Sequence, residues 1–466
     1  MGGFFGVVSK DNCIADLFYG TDYHSHLGTK RGGMATIGSD GFTRVIHNIE
    51  SSQFRSKFDP DLVRMGGSSG IGVISDTDDQ PLLIRSHLGD YAIATVGVVQ
   101  NAEALTGEAF RNRRMHLSEM GSGGINPTEL VASLINMEDS FEAGISRALA
   151  DIEGSCSLLV LTRTGIYAAR DRRGRTPVII GRKDGAMAVT LETCAFPNLD
   201  YETDMTLGPG EIVFITAEGC ERRKEPESHM QICSFMWVYY GYPASSYEGI
   251  NVEAVRNRCG ALLARRFPAA IDFVAGIPDS GIGHGLGYAN EARIPFKRPF
   301  VKYSPTWARS FMPQHQDIRD LVACMKLIPV RELIEGKRIL FCEDSIVRGT
   351  QLKDTIQRLL DAGADEIHMR PACPPLVFSC KFLNFSRSRS EMDLASRQAV
   401  RSLAGPDASD FSEYTCAGTD KYKGMEEWIR KRLGLTTLKY QVIDDLITAI
   451  GLPKEKLCTY CWDGAE

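Results

Sequence analysis

The 466-residue chain is too long for one ordinary core and fits two domains of common size, and 43% hydrophobic with 24% charged residues is the balance of a soluble globular protein. A net charge of -6 supplies no basic surface for nucleic acid or an anionic membrane, and no apolar run approaches the roughly 20 residues that cross a bilayer. Thirteen cysteines, an odd count in a chain of this size, argue against a disulfide framework and leave metal ligands or small buried hydrophobes as their roles.

The chain opens on Met1-Gly-Gly-Phe-Phe-Gly-Val-Val-Ser9, apolar but short, with neither a basic leader nor a small-residue cleavage site. A secretory signal is not expected, and a cytoplasmic location is. Apolar patterning predicts strands over 4–9, 91–99, 156–162 and 186–190, and a helix over 128–136 opened by Asn126-Pro127. The chain turns polar over 217–229, which sets the expected boundary between domains 1–230 and 231–466. Beyond it the expected elements are a helix over 250–266, a strand over 271–277, a Pro-Asp-Ser-Gly turn and a helix over 281–291. A strand over 338–342, a helix over 350–362 and a strand over 366–370 follow. Strand–loop–helix units of this kind build a parallel α/β sheet, whose ligands sit beyond the carboxyl ends of the strands.

The most informative string is Ile339-Leu-Phe-Cys-Glu-Asp-Ser-Ile-Val-Arg-Gly-Thr-Gln351. A buried strand runs into adjacent acids, Glu343 and Asp344, and a small-residue loop then opens a helix. Backbone N–H groups of that loop, with the hydroxyls of Ser345 and Thr350, can cradle a phosphate at the helix N-terminus. The acids can accept hydrogen bonds from two sugar hydroxyls, and Gly349 allows close backbone approach. It is no Walker A loop, since Gly-Lys-Ser/Thr is missing.

The string resembles the binding signature for phosphoribosylpyrophosphate (PRPP) of phosphoribosyltransferases. Its Ser-Ile-Val-Arg-Gly-Thr core resembles the version found in the glutamine PRPP amidotransferase family in particular. The resemblance implies that Glu343, Asp344, Ser345, Ile346, Val347, Arg348, Gly349 and Thr350 bind PRPP, with Mg²⁺ near Glu343 and Asp344. Ile277-Pro-Asp-Ser-Gly281 looks like the family's pyrophosphate loop, so Asp279, Ser280 and Gly281 join the site. Arg309-Ser-Phe-Met-Pro-Gln314, followed by Arg319 and Lys326, is similar to the loop that closes over PRPP. Arg309 and Lys326 are the implied catalytic cations, offsetting charge on departing pyrophosphate.

The tail carries Cys458-Thr-Tyr-Cys461. Alone, that pair suits zinc, redox chemistry or plain packing equally. Its surroundings resemble the C-terminus of the iron–sulfur members, whose two further ligands match Cys233 and Cys380. Four thiolates suit a 4Fe–4S cluster with a structural role.

The first 230 residues resemble the N-terminal-nucleophile glutaminase domain, which implies an αββα sandwich; the second half implies a type I phosphoribosyltransferase sheet. The glutaminase residues themselves are replaced. The position of the nucleophilic cysteine is Gly2. The arginine that pairs with the substrate carboxylate falls at Ser75, and the aspartate that holds its amine falls at Pro127. The side-chain oxyanion donor falls at Val96, while the backbone donor position, Gly97, survives. Without a nucleophile no acyl-enzyme forms.

The expected activity is therefore formation of phosphoribosylamine from PRPP with ammonia rather than glutamine, the family's first step of purine synthesis. Two alternatives stand beside it: a PRPP- or nucleotide-binding regulator without turnover, and a phosphoribosyltransferase with another acceptor. Gln351, where the family prefers Thr, and Cys342 ahead of the acids keep the regulator in view. The resemblance also implies a homo-oligomer, dimer or tetramer, under purine-nucleotide control, with no nucleic-acid or membrane partner.

Overall fold

The structure is a computed structural model that describes residues 2–76, 78–111, 117, 120–121, 124–302, 327–383 and 391–466. Phe4 and Val8 of the strand Gly3–Ser9 face a second sheet, while Phe5 and Val7 face the helices on the other side. Apolar residues at every position of a period-two element make a strand buried on both faces. Gly3–Ser9 is the fourth of seven strands, ordered Glu202–Thr206, Ile179–Lys183, Ala186–Thr190, Gly3–Ser9, Ser69–Ser75, Arg31–Gly38 and Gly41–Asn48. A six-stranded sheet runs Cys220–Lys224, Ile212–Ile215, Ile166–Ala169, Gly154–Leu161, Gly89–Val99 and Leu82–Ser86.

The inner faces meet through Phe4, Val73, Ala94, Val96 and Leu159. Helices Ile14–Asp22 and Phe54–Phe58 cover the outer face of the first sheet with Leu17, Phe18, Phe54 and Phe58. Helices Pro127–Ile135 and Phe141–Asp151 cover the second with Leu130, Val131, Ile145 and Leu149. The layers are helix, sheet, sheet, helix, as the sequence predicts.

One expected helix start moves, and the polar stretch holds a strand. The polar stretch 217–229 contains the strand Cys220–Lys224, the outermost of its sheet. An edge strand with exposed side chains carries charge on both faces, so its composition resembles a linker's. The helix expected from residue 250 begins at Val252, because Ile250–Asn251 first pairs with Ser246–Tyr247; Asn251 then caps Val252–Arg266 by accepting the Ala254 N–H at 2.9 Å.

The second half centres on a four-stranded parallel sheet ordered Phe273–Gly276, Arg338–Glu343, Glu366–Pro371 and Thr437–Leu438. Ile339, Phe341 and Met369 pack on one face against Ile356, Leu359 and Ile429; Val274 and Leu340 pack on the other against Leu263 and Tyr288. A continuous core runs from Phe5 and Phe18 through Trp237 and Tyr247 to Ile450 and Trp462, so the halves share apolar packing. Polar links cross the same junction. The fully buried Glu192 accepts from the Tyr247 hydroxyl at 2.7 Å and from Ser245, and Arg170 pairs with Glu248 at 2.8 Å. Among the described residues no helix is long and apolar enough to cross a membrane.

Candidate functional site

The strand Arg338–Glu343 lies inside its sheet, so residues 339–342 are buried and the chain leaves the sheet only at Glu343. Asp344 follows, 6% exposed. Its two carboxylate oxygens accept from different loops: Ser280 Oγ donates at 2.5 Å and Ser345 Oγ at 2.6 Å. The Asp344 N–H reaches Glu343 Oε1 at 3.2 Å. Burial, then the neighbouring charge of Asp344, pushes the Glu343 carboxyl well above the usual carboxylate range.

Ile346 is buried in the core of the second half, and the Val347 carbonyl accepts the Ala395 N–H at 2.8 Å, so these residues anchor the loop. Arg348 is exposed and 3.8 Å from Asp393. Gly349 has φ 76°, a conformation that favours glycine, and Thr350 then opens the helix Thr350–Asp361. Ile346 and Val347 are thus placed to fix the loop, whereas Ser345 and Thr350 present hydroxyls along it.

The second loop runs from Phe273–Gly276 into the helix Gly281–Ala292. The Ile277 N–H donates to the Cys342 carbonyl at 3.0 Å, tying it to the neighbouring strand. The Pro278–Asp279 peptide is cis. A Cβ at Gly281 would stand 2.4 Å from that same Cys342 carbonyl, so only glycine lets the two loops touch. Two helices thus begin at the carboxyl ends of adjacent parallel strands, on either side of the Ser280–Asp344 bond. Free N–H groups and the positive ends of the helix dipoles gather at one place, an arrangement that binds phosphate. Lys302 pairs with Asp279 across the loop. Sequence reasoning gave Lys302 no role; it is the last residue of the strand Phe300–Lys302. Arg309, Arg319 and Lys326 lie outside the described residues.

The four cysteines matched to a cluster come together. Cys233 and Cys458 are partners in a short parallel pair, Ile232–Cys233 with Leu457–Cys458. Ser234 Oγ donates to the Cys458 carbonyl at 3.0 Å. Val377 and Phe378 N–H groups both reach the Cys461 carbonyl, at 3.0 and 3.1 Å, which brings the segment carrying Cys380 beside the tail. All four cysteines line one small cavity, about 10 Å³, with Arg175, Phe235, Phe382 and Trp462. Burial pushes the thiols of Cys233 and Cys458 up, and a bond from Cys380 followed by burial does the same for Cys461. Arg175 Nε, at the same cavity, is buried with no hydrogen-bond partner among the described residues. A cation next to four sulfurs suits an anionic group bound by thiolates. Among the described residues no three His, Cys, Asp or Glu side chains converge on a single-ion site. A cubane cluster takes each thiolate on a separate iron, so its ligands ring a cavity instead of converging.

The positions matched to the glutaminase residues lie in the sandwich. Gly2 lies against Ser75, and a Cβ on residue 2 would stand 2.2 Å from the Ile74 carbonyl oxygen and 3.4 Å from Ser75 Cα. Val96 is buried in the inter-sheet core, and Gly97 pairs with Cys156. Pro127 occupies the first turn of its helix, where the missing N–H costs nothing, and Asn126 accepts from Thr128 and Glu129. Next to them Gln80 is buried and accepts the Thr95 N–H at 2.7 Å, and the Thr95 and Thr128 hydroxyls bond at 2.7 Å. Small hydroxyls and a carboxamide satisfy one another there.

No family model matches the chain. Curated relatives do. The chain is 30% identical over its full length to the amidophosphoribosyltransferase of Methanocaldococcus jannaschii, covering 97% of that protein. It is 30% identical, over 96% of its length and 89% of the relative's, to the amidophosphoribosyltransferase of Bacillus subtilis. The solved glutamine PRPP amidotransferase of B. subtilis, complexed with ADP and GMP, superposes with a TM-score of 0.85 at 27% identity, covering 99% of this chain and 96% of that one. A structure described as the allosteric regulatory enzyme of purine biosynthesis gives the same score and identity, with 99% and 95% covered.

Proposed function

The chain belongs to the amidophosphoribosyltransferase family, and from that premise we propose that it makes phosphoribosylamine from PRPP with ammonia, its glutaminase half being silent. The observation that carries the first part is the Ser280–Asp344–Ser345 cluster between two helix N-termini. In this reading the helix starting at Thr350 and the Ser345–Thr350 loop hold the 5-phosphate, and Glu343 and Asp344 hold the ribose hydroxyls. The 277–281 loop faces the pyrophosphate. Ammonia adds its lone pair to the anomeric carbon, the bond to pyrophosphate breaks, and pyrophosphate leaves with that electron pair; the new ammonium then loses a proton to water. Mg²⁺, when bound, neutralises leaving-group charge. The protein's residues position the partners and screen the site from water. Arg309 and Lys326 complete the proposal as cations over the pyrophosphate.

Absence of glutamine use rests on Gly2, Ser75, Val96 and Pro127, none of which has the side chain its role requires. The four cysteines are proposed to hold a 4Fe–4S cluster that ties the start of the second domain to its tail; the sulfur-lined cavity beside Arg175 supports this. A division at 230/231 fits the last strand of the sandwich, which ends at Lys224. Purine nucleotides as effectors, and a dimer or tetramer, complete the proposal.

The test is pyrophosphate release from PRPP and Mg²⁺ by anaerobically purified protein, with ammonium or glutamine as donor. Release with ammonium alone is expected. Equal release with glutamine overturns the silent half, and release with neither favours a regulator or another acceptor.

A further inference from the structure

A groove of about 390 Å³ opens at the edge of the seven-stranded sheet, lined by Arg31, Arg44, Ile46, His47, Asn48 and Asp79. Strand register sets its polarity. Arg31 is the cross-strand partner of Asn48, Gly33 of Ile46 and Ala35 of Arg44. Ala35 is in the inter-sheet core, so Arg31, Arg44, Ile46 and Asn48 share that same face at the open end of the strands. Arg31 is also the direct partner of Ser75 on its other side. Gly2 lies against Ser75, two strands from Arg31 and roughly 10 Å away at ordinary strand spacing.

The facing wall is fixed. Gln80 is anchored by its bond from the Thr95 N–H, and its own carbonyl stands 1.7 Å from where a Cβ on Gly33 would lie. That contact sets Asp79 and Pro81 beside the arginines. Arg31 Nε pairs with Asp79 at 2.8 Å, and Arg44 donates to the Pro81 carbonyl at 3.3 Å. His47 is engaged by Asp61 at 2.6 Å. Two guanidiniums thus line the groove beside the Asp79 carboxylate, Arg31 also donates to the Lys30 carbonyl at 3.3 Å, and each fork has more N–H donors than these bonds use.

We propose that this groove binds the oxyanion group of a small metabolite, a carboxylate or a phosphate, in the domain whose glutaminase residues are replaced. Excess positive charge and planar forks suit bidentate contact with either group. Ile46 offers an apolar patch to the ligand's remainder, and Asn48 a neutral donor and acceptor. The proposal rests on the register and the charges, not on whether glutamine is used.

Calorimetric titration of the full chain with inorganic phosphate, and separately with succinate, tests it. Saturable binding of at least one probe is expected, weakened about tenfold or more in Arg44→Gln, whose side chain is exposed and whose loss spares the core. Phosphate also suits the strand-end site, so Thr350→Ala, which removes a hydroxyl from the loop read as holding phosphate, serves as the second variant: groove binding persists there. Phosphate alone marks a phosphate-bearing ligand, succinate alone a carboxylate, and both a general oxyanion site. Failure of both probes to saturate by about 10 mM, or a signal that survives Arg44→Gln and falls in Thr350→Ala, overturns the proposal.

Discussion

The carbonyl oxygen of Ile74 occupies the space that a side chain on Gly2 would need, 2.2 Å from the Cβ position. Losing a cysteine is reversible by one codon; losing its space is not. Gly2→Cys is therefore expected to leave glutamine hydrolysis at background. Overpacking against backbone should also cost about 1–3 kcal/mol of stability. Ammonia release from glutamine and the thermal midpoint of the variant check both points. Glutamine-dependent ammonia release above the parent would show that the neighbouring strand yields.

Asp344 unites the two loops of the proposed phosphoribosyl site, since Ser280 and Ser345 donate to its separate oxygens. Asp344→Asn keeps the shape and removes the charge. Charge-assisted bonds of about 1.5–3 kcal/mol imply a loss of roughly ten- to a hundredfold in kcat/KM for PRPP. Ser280→Ala removes one of the donors and should fall short of that. If Ser280→Ala proved as damaging as Asp344→Asn, the serine would be acting on pyrophosphate directly and not through the aspartate.

The Asp344 loop was legible because its strand, acids, glycine and helix start are contiguous in sequence. Cys233, Cys380, Cys458 and Cys461 were legible only through the family resemblance, since segments far apart in sequence bring them together. Local patterning had no access to Arg175 at the same cavity or to Lys302 on Asp279. Both act through contacts between segments, and a single arginine or lysine reads as solvated surface. The strand Cys220–Lys224 was missed because edge strands and linkers share polar composition. The space at Gly2 belongs to strand register, which no residue string displays.

Two buried histidines should make the fold less stable in acid. Burial, only partly offset by the charge of Glu192, lowers His24 to about 4, and burial with the nearby Arg256 lowers His284 to about 3. The folded values lie below the 6.5 of the unfolded chain, so stability is complete above pH 6.5 and is lost as pH falls towards 4. His24 alone should contribute a loss on the order of 3 kcal/mol across that window. Thermal midpoints between pH 8 and 4.5 should fall steeply, and less steeply in His24→Gln, which cannot ionise. Parallel curves for parent and variant would assign the acid sensitivity to other groups.

Anaerobic protein should carry about four irons and matching sulfide per chain, with broad visible absorbance. Cys458→Ser removes a ligand from the pair that joins Ile232–Cys233 to the tail. Loss of iron together with a lower thermal midpoint is expected, because metal binding at such a site is coupled to folding. Zinc in place of iron, found by elemental analysis, would replace the cluster with a different structural metal.

Glu192 carries the junction between the halves. It is fully buried and takes donors from His26 at 3.2 Å, from Tyr247 at 2.7 Å and from Ser245. Burial alone would raise its carboxyl, yet these three bonds hold it below the ordinary value, so it sits at the junction as a carboxylate. Tyr247→Phe keeps the ring and its packing against Trp237, and removes one donor from that buried charge. The loss should be about 1–3 kcal/mol. Tyr242→Phe, at a residue 47% exposed beside His26, is the matched control and should stay within about 0.5 kcal/mol of the parent. Thermal unfolding of both variants decides between them. Equal midpoints would mean that the apolar core through Trp237 and Trp462 holds the halves together without help from the carboxylate.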